Sequence, residues 1–111
     1  MKDVTKEILI RLGVDPSYKG FKHLGEAIEL VVAESNMKAD YLYHKLTSPG
    51  TSWQRVERNI RKAIENAFDN NASELYEIFQ YTIKASRGKA TNKQFIAMIA
   101  EVYGSRIRSG I

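Results

Sequence analysis

The chain has 111 residues, 43% of them hydrophobic, and a formal net charge of +4 with a sequence pI near 9.4. That length fits one domain with a modest core, and the absence of cysteine excludes disulfides, thiolate zinc sites and cysteine nucleophiles together. No apolar run approaches the roughly 18–20 residues of a membrane span, and the charges interleaved in MKDVTKEILIRLG exclude a signal peptide, so a cytoplasmic protein with no membrane partner is expected.

Apolar spacing of three and four residues recurs along the chain, and no segment alternates as a strand does. A first helix is predicted over about residues 3–12, with Val4, Ile8 and Leu12 on one side. Gly13 ends it, and the loop GVDPSYKG carries both Pro and Gly. A second helix over about 21–35 buries Phe21, Leu24, Ile28, Val31 and Val32. A short third helix, about 37–46, contains Tyr41, Leu42, Tyr43 and Leu46. The turn TSPG follows, and Thr51 with Gln54 forms a T-x-x-Q capping box that opens a fourth helix over about 52–68.

That fourth helix carries the functional signal. Trp53, Val56, Ile60, Ala63, Ile64, Ala67 and Phe68 make one apolar stripe, with Trp53 at its edge read as a core anchor in preference to a base-stacking residue. The opposite side holds Gln54, Arg55, Arg58, Lys62 and Glu65, and Arg55, Arg58 and Lys62 form a row at i, i+3, i+7. A helix buried on one side and lined with arginine on the other suits the DNA major groove. Joined to the third helix by a tight turn, it makes a helix-turn-helix.

Asn71 and Glu74 are placed to cap a fifth helix ending near Phe79, with Leu75, Ile78 and Phe79 buried. A basic loop around Gly88 follows. Thr91 and Gln94 form a second T-x-x-Q box, opening a last helix lined by Phe95, Met98, Ile99 and Val102. Gly104 is a plausible end for it, with helical continuation to Arg108 as the alternative. The expectation is an all-α, compact six-helix bundle forming a single domain over residues 1–111.

Charge is unevenly spread. Residues 1–51 hold seven Lys/Arg and seven Asp/Glu, whereas residues 52–111 hold ten and six. In residues 84–111, Lys84, Arg87, Lys89, Lys93, Arg106 and Arg108 face only Glu101. A phosphate-binding surface leaves this footprint, and so does a solvated basic face. His23 and His44 lack metal-ligand spacing and read as exposed or partly packed side chains. No paired carboxylates, activated nucleophile or phosphate-cradling glycine loop stands out, so neither an enzyme nor a cofactor or metal is expected.

Three ordered blocks resemble a known family. LGVDPSYKGFKHLGEAI is similar to a G-[IV]-x-x-x-x-K-G-[YF]-x-x-L-x-E-A-I pattern, RVERNIRKAIENAF to a recognition helix RVERAIRHAIE, and FQYTIKASRGKATNKQFIAMIAE to an F-G-Y-T…K-x-T-N-x-x-F-I-A-M-[IV]-A end. Together they resemble the C-terminal effector domain of the Spo0A family of sporulation response regulators. The resemblance implies a transcription regulator with double-stranded DNA as its partner, a second protomer on tandem DNA boxes, RNA polymerase as a further partner, and a place at the nucleoid. It implies base contacts from Arg55, Glu57 and Arg58, with Gln54, Arg61 and Lys62 beside them. Lys89, Arg106 and Arg108 are further candidates for the DNA backbone, or else a solvated basic tail. Glu57 and Arg61 are also spaced to pair with each other on the helix surface.

Departures from the family pattern are Lys62 for a usual histidine, Asn59 for a usual alanine, and a longer TSPGTSWQ turn. The family's typical regulator carries an N-terminal receiver, and no receiver is expected within this sequence. An excised domain and a stand-alone paralogue both fit. A second functional reading, from a different class, is a helical module whose basic face docks an acidic protein.

Overall fold

The computed structural model describes residues 1–34, 38–79 and 90–110. Their regular elements are all helices: α1 (Asp3–Arg11), α2 (Lys19–Ala33), α3 (Ala39–Lys45), α4 (Trp53–Phe79) and α5 (Asn92–Ser109). Asn71 leaves helical geometry at φ −145° and ψ 45°, so α4 is two helices joined end to end. The all-α, six-helix expectation therefore holds, with the fourth and fifth predicted helices meeting at a kink instead of a loop. The predicted basic loop around Gly88, including Lys89, lies outside the described residues.

Three asparagines fix the kinked region. Asn66 Oδ1 accepts from the backbone N–H of Asp15 at 2.9 Å, Asn70 Nδ2 donates to the Gly13 carbonyl at 3.0 Å, and Asn71 Nδ2 donates to the Arg11 carbonyl at 3.0 Å. The loop after α1 is thereby laid across the middle of α4. Gly13 makes this approach possible, because it has φ +94° and an added Cβ would press on Asn71 and the Ala67 carbonyl.

Helix α2 is the centre of the bundle. Leu24, Ala27 and Ile28 are wholly buried against Val56, Ile60, Ala63 and Ile64 of α4 and Phe95 and Ile99 of α5 in one continuous core. Gly20 lets α2 and α4 approach closely, since a Cβ there would overlap the Asn59 carbonyl. Phe68, Phe79 and Phe95 close the core beneath the kink; Phe79 and Phe95 stack at 5.7 Å between centroids, and Phe68 meets Phe95 edge-on at 6.3 Å.

Several local expectations are corrected. The α4 cap is Ser52, whose Oγ accepts from Arg55 N–H at 3.2 Å, and not Thr51. Thr51 instead closes a turn, its N–H donating to the Ser48 carbonyl at 2.9 Å, with Gly50 at φ +87°. Trp53 is 39% exposed, with its ring 6.3 Å from that of His44, so it is not a core anchor. Val102 is half-exposed, because the buried line of α5 runs through Phe95, Ile96 and Ile99 to Ile107. The helix accordingly continues past Gly104 to Gly110, whose φ of +74° ends it. At its other end the Thr91–Gln94 capping box is complete in both directions, at 3.1 and 2.9 Å.

Candidate nucleic-acid interface

The face of α4 away from the core follows from its turn geometry. At about 100° per residue, Arg58 and Lys62 lie opposite the buried line through Ile60 and Ala67, with Gln54 and Arg55 to either side. All four are exposed. Among the described residues, Arg55, Arg58 and Lys62 have no carboxylate partner. From Arg55 to Lys62 the row spans about 10 Å of helix axis, close to three base-pair steps of about 3.4 Å. On one flank of the helix Asn59 and Asn66 lie toward α2 and its preceding loop; on the other, Arg61 and the Glu57 backbone carbonyl are tied to the start of α5.

The α5 side is tied at two points. Arg61 Nη1 donates to the Ala90 carbonyl at 2.7 Å, and its Nε lies 4.0 Å from Glu65 Oε1. Arg61 therefore pairs with Glu65 and not with Glu57, which stays exposed. Asn92 Nδ2 donates to the Glu57 carbonyl at 3.1 Å and to the Tyr43 hydroxyl at 3.3 Å. These ties bring the first turn of α5 beside the cation row. An open cleft of about 660 Å³ lies between them, lined by Tyr43, Gln54, Glu57, Arg58, Arg61, Thr91, Asn92 and Lys93.

The structure thus gathers Gln54, Arg55, Glu57, Arg58, Arg61 and Lys62 on one arm of one helix. It adds Lys93, whose only signal in the sequence is its charge. The second T-x-x-Q box places Lys93 in the first turn of a helix, but nothing in the sequence says which element that turn packs against. Arg106 and Arg108 are not part of the cluster. They lie fourteen and sixteen residues beyond Asn92 on α5, about 21–24 Å away along its axis, and Arg106 stands 3.7 Å from Glu7 of α1. Lys89 is outside the described residues.

Chemically, the arrangement offers guanidinium forks and an ammonium to an acceptor-rich partner. Among the described residues no three His, Cys, Asp or Glu side chains are grouped to hold a metal ion. No helix among them is long and apolar enough to cross a membrane.

Comparison with known protein families gives a match over residues 5–102 to the family described as Sporulation initiation factor Spo0A C terminal. The matched span takes in α2, α3, α4 and the first half of α5, hence the whole cation row and both ties, and stops short of Arg106 and Arg108. The chain belongs to this family, the DNA-binding C-terminal domains of sporulation initiation factors.

Proposed function

We propose that this domain reads a specific double-stranded DNA sequence with the 53–70 arm of α4 in the major groove. The observation that carries the reading is the unpaired, exposed row Arg55–Arg58–Lys62 on a helix whose opposite side is buried from Val56 to Phe68. A helix about 10–12 Å across fits a groove about 12 Å wide, so the row meets base edges directly. Arg55 and Arg58 donate in pairs to guanine O6 and N7, and Glu57, at the edge of the face, accepts from a cytosine amine.

Polar groups farther from the groove floor act on the backbone. Lys62 and Gln54 at the two ends of the row, the remaining edge of Arg61 and, across the cleft, Lys93 meet phosphates. Arg106 and Arg108 contribute to the field of the whole domain rather than to the same groove, and Lys89 falls in the basic segment preceding α5. A second protomer on an adjacent DNA box and RNA polymerase complete the partners of this reading.

Selection of duplexes from a random pool with the purified domain tests it. A DNA reader enriches one consensus. A basic module that docks acidic proteins binds duplexes through charge alone and returns none. Salt-dependent binding by itself does not separate the two, because both are electrostatic.

A further inference from the structure

The ties between α5 and α4 look at first like ordinary packing. Asn92 is 8% exposed and sits at the first position of α5, where a helix accommodates almost any polar residue. Its hydrogen bonds, however, do not serve its own helix. The cap of α5 is already complete through Thr91 and Gln94. Both of the bonds from Asn92 Nδ2 leave the element, one to the Glu57 carbonyl of α4 and one to the Tyr43 hydroxyl of α3. Its Oδ1 is buried and has no partner. A side chain kept for its own satisfaction would not be left with a buried acceptor unpaired.

We propose that Asn92 is a positioning residue for base readout: one buried amide that locks the rotation of the reading helix against α3 and α5. This rests on the DNA-reading function proposed above. The anchor point is the Glu57 carbonyl, adjacent in sequence to Arg58 and within the span of the row. Arg61 adds a second tie one turn along, to the Ala90 carbonyl. A roll of about 10° about the α4 axis moves an atom about 6 Å from that axis by about 1 Å. That is enough to break paired donation from a guanidinium to O6 and N7, whose hydrogen-bond distances vary by only a few tenths of an ångström. Phosphate contacts from flexible lysines tolerate the same roll. The tie therefore acts on discrimination and leaves bulk attraction untouched.

The experiment compares affinity for the consensus duplex recovered from the random pool with affinity for a scrambled duplex, across several salt concentrations. Wild type, Asn92→Leu, Tyr43→Phe and the double variant are measured well below each variant's melting temperature. Asn92→Leu is expected to lower the consensus-to-scrambled ratio by tenfold or more, with scrambled affinity and salt slope unchanged. Tyr43→Phe, which removes one oxygen, is expected to lower the ratio less, and the double variant to lose less than the sum of the two single losses. A packing role alone would lower the melting temperature and leave the ratio intact.

A folded Asn92→Leu with the wild-type ratio overturns the proposal, as does an equal loss of affinity for both duplexes. Should Asn92→Leu not fold, an unchanged ratio in Tyr43→Phe overturns it instead. If the wild type itself shows no preference for any duplex, the DNA-reading function fails, and that result is distinct from every outcome above.

Discussion

At the scale of single residues, the periodic core positions were legible and the edge positions were not. Val56, Ile60, Ala63, Ile64 and Ala67 are fully buried because their spacing leaves one side of the helix no other role. Trp53 falls on the same stripe, but it stands in the first turn of α4 and stays 39% exposed, with the His44 ring of α3 beside it. Ser52 and Thr51 are chemically equivalent caps, and the turn closed by Thr51 N–H onto Ser48 decides between them. In the proposed function Lys62, at the outer end of the row, is assigned to phosphate. Lys62→Ala is expected to weaken binding to all duplexes alike and to reduce the salt slope by about 1. An unchanged slope in a salt titration would remove Lys62 from the phosphate contacts. His23 gives a second residue-scale expectation. Burial lowers its pKa from the ordinary 6.5, with Glu26 opposing and Lys22 adding to the shift, and its Nδ1 is buried without a partner. The unfolded chain takes up the proton first as pH falls. The stability owed to neutral His23 is thus complete above about pH 6.5 and is lost as pH drops through the lowered folded value. The melting temperature should fall between pH 7 and pH 5, and His23→Gln should flatten that dependence.

At the scale of elements, helix existence was readable from periodicity and capping chemistry, whereas helix junctions depended on contacts between distant segments. The predicted break between the fourth and fifth helices is real, but it is a kink. Asn66, Asn70 and Asn71 bind the loop after α1 so that α4 has no room to open into a longer turn. The run of α5 past Gly104 has a similar cause: Ile107 is needed in the core, and Lys2 Nζ donates to its carbonyl at 2.8 Å. Gly20 tests how closely α2 and α4 are joined. In an open helix Gly→Ala stabilises by roughly 0.5–1 kcal/mol. Here the new methyl would overlap a backbone carbonyl of α4, which has no rotamer by which to move away. Overpacking of about 1–3 kcal/mol should win, and Gly20→Ala should lower the denaturant midpoint. A raised midpoint would mean that the two helices are less tightly apposed than described.

At the scale of the whole molecule, the contacts gather at two ends. Gly25 receives the Met1 side chain, Lys2 N–H donates to Glu29 at 2.7 Å, and Glu7 meets Arg106, so α1, α2 and the end of α5 are joined away from the cation row. At the other end α3, the 53–70 arm and the start of α5 converge on the cleft. The basic bias of residues 52–111 fits a phosphate-binding half or a solvated basic face, and it merges two groups of cations that the fold separates. Arg106 and Arg108 belong to the first end, and Lys93 joins the second. Sequence proximity could not reveal this, because α5 carries its charges at both tips of an 18-residue helix. The proposed function requires that the exposed arginines read bases. Repeating the random-pool selection with Arg58→Ala beside the wild type tests that most directly. The wild type should return a consensus, and the variant should return the same consensus with the preference at one base pair relaxed and affinity for the site reduced by about 1–3 kcal/mol. An unaltered consensus, or affinity lost equally from every duplex, would contradict it.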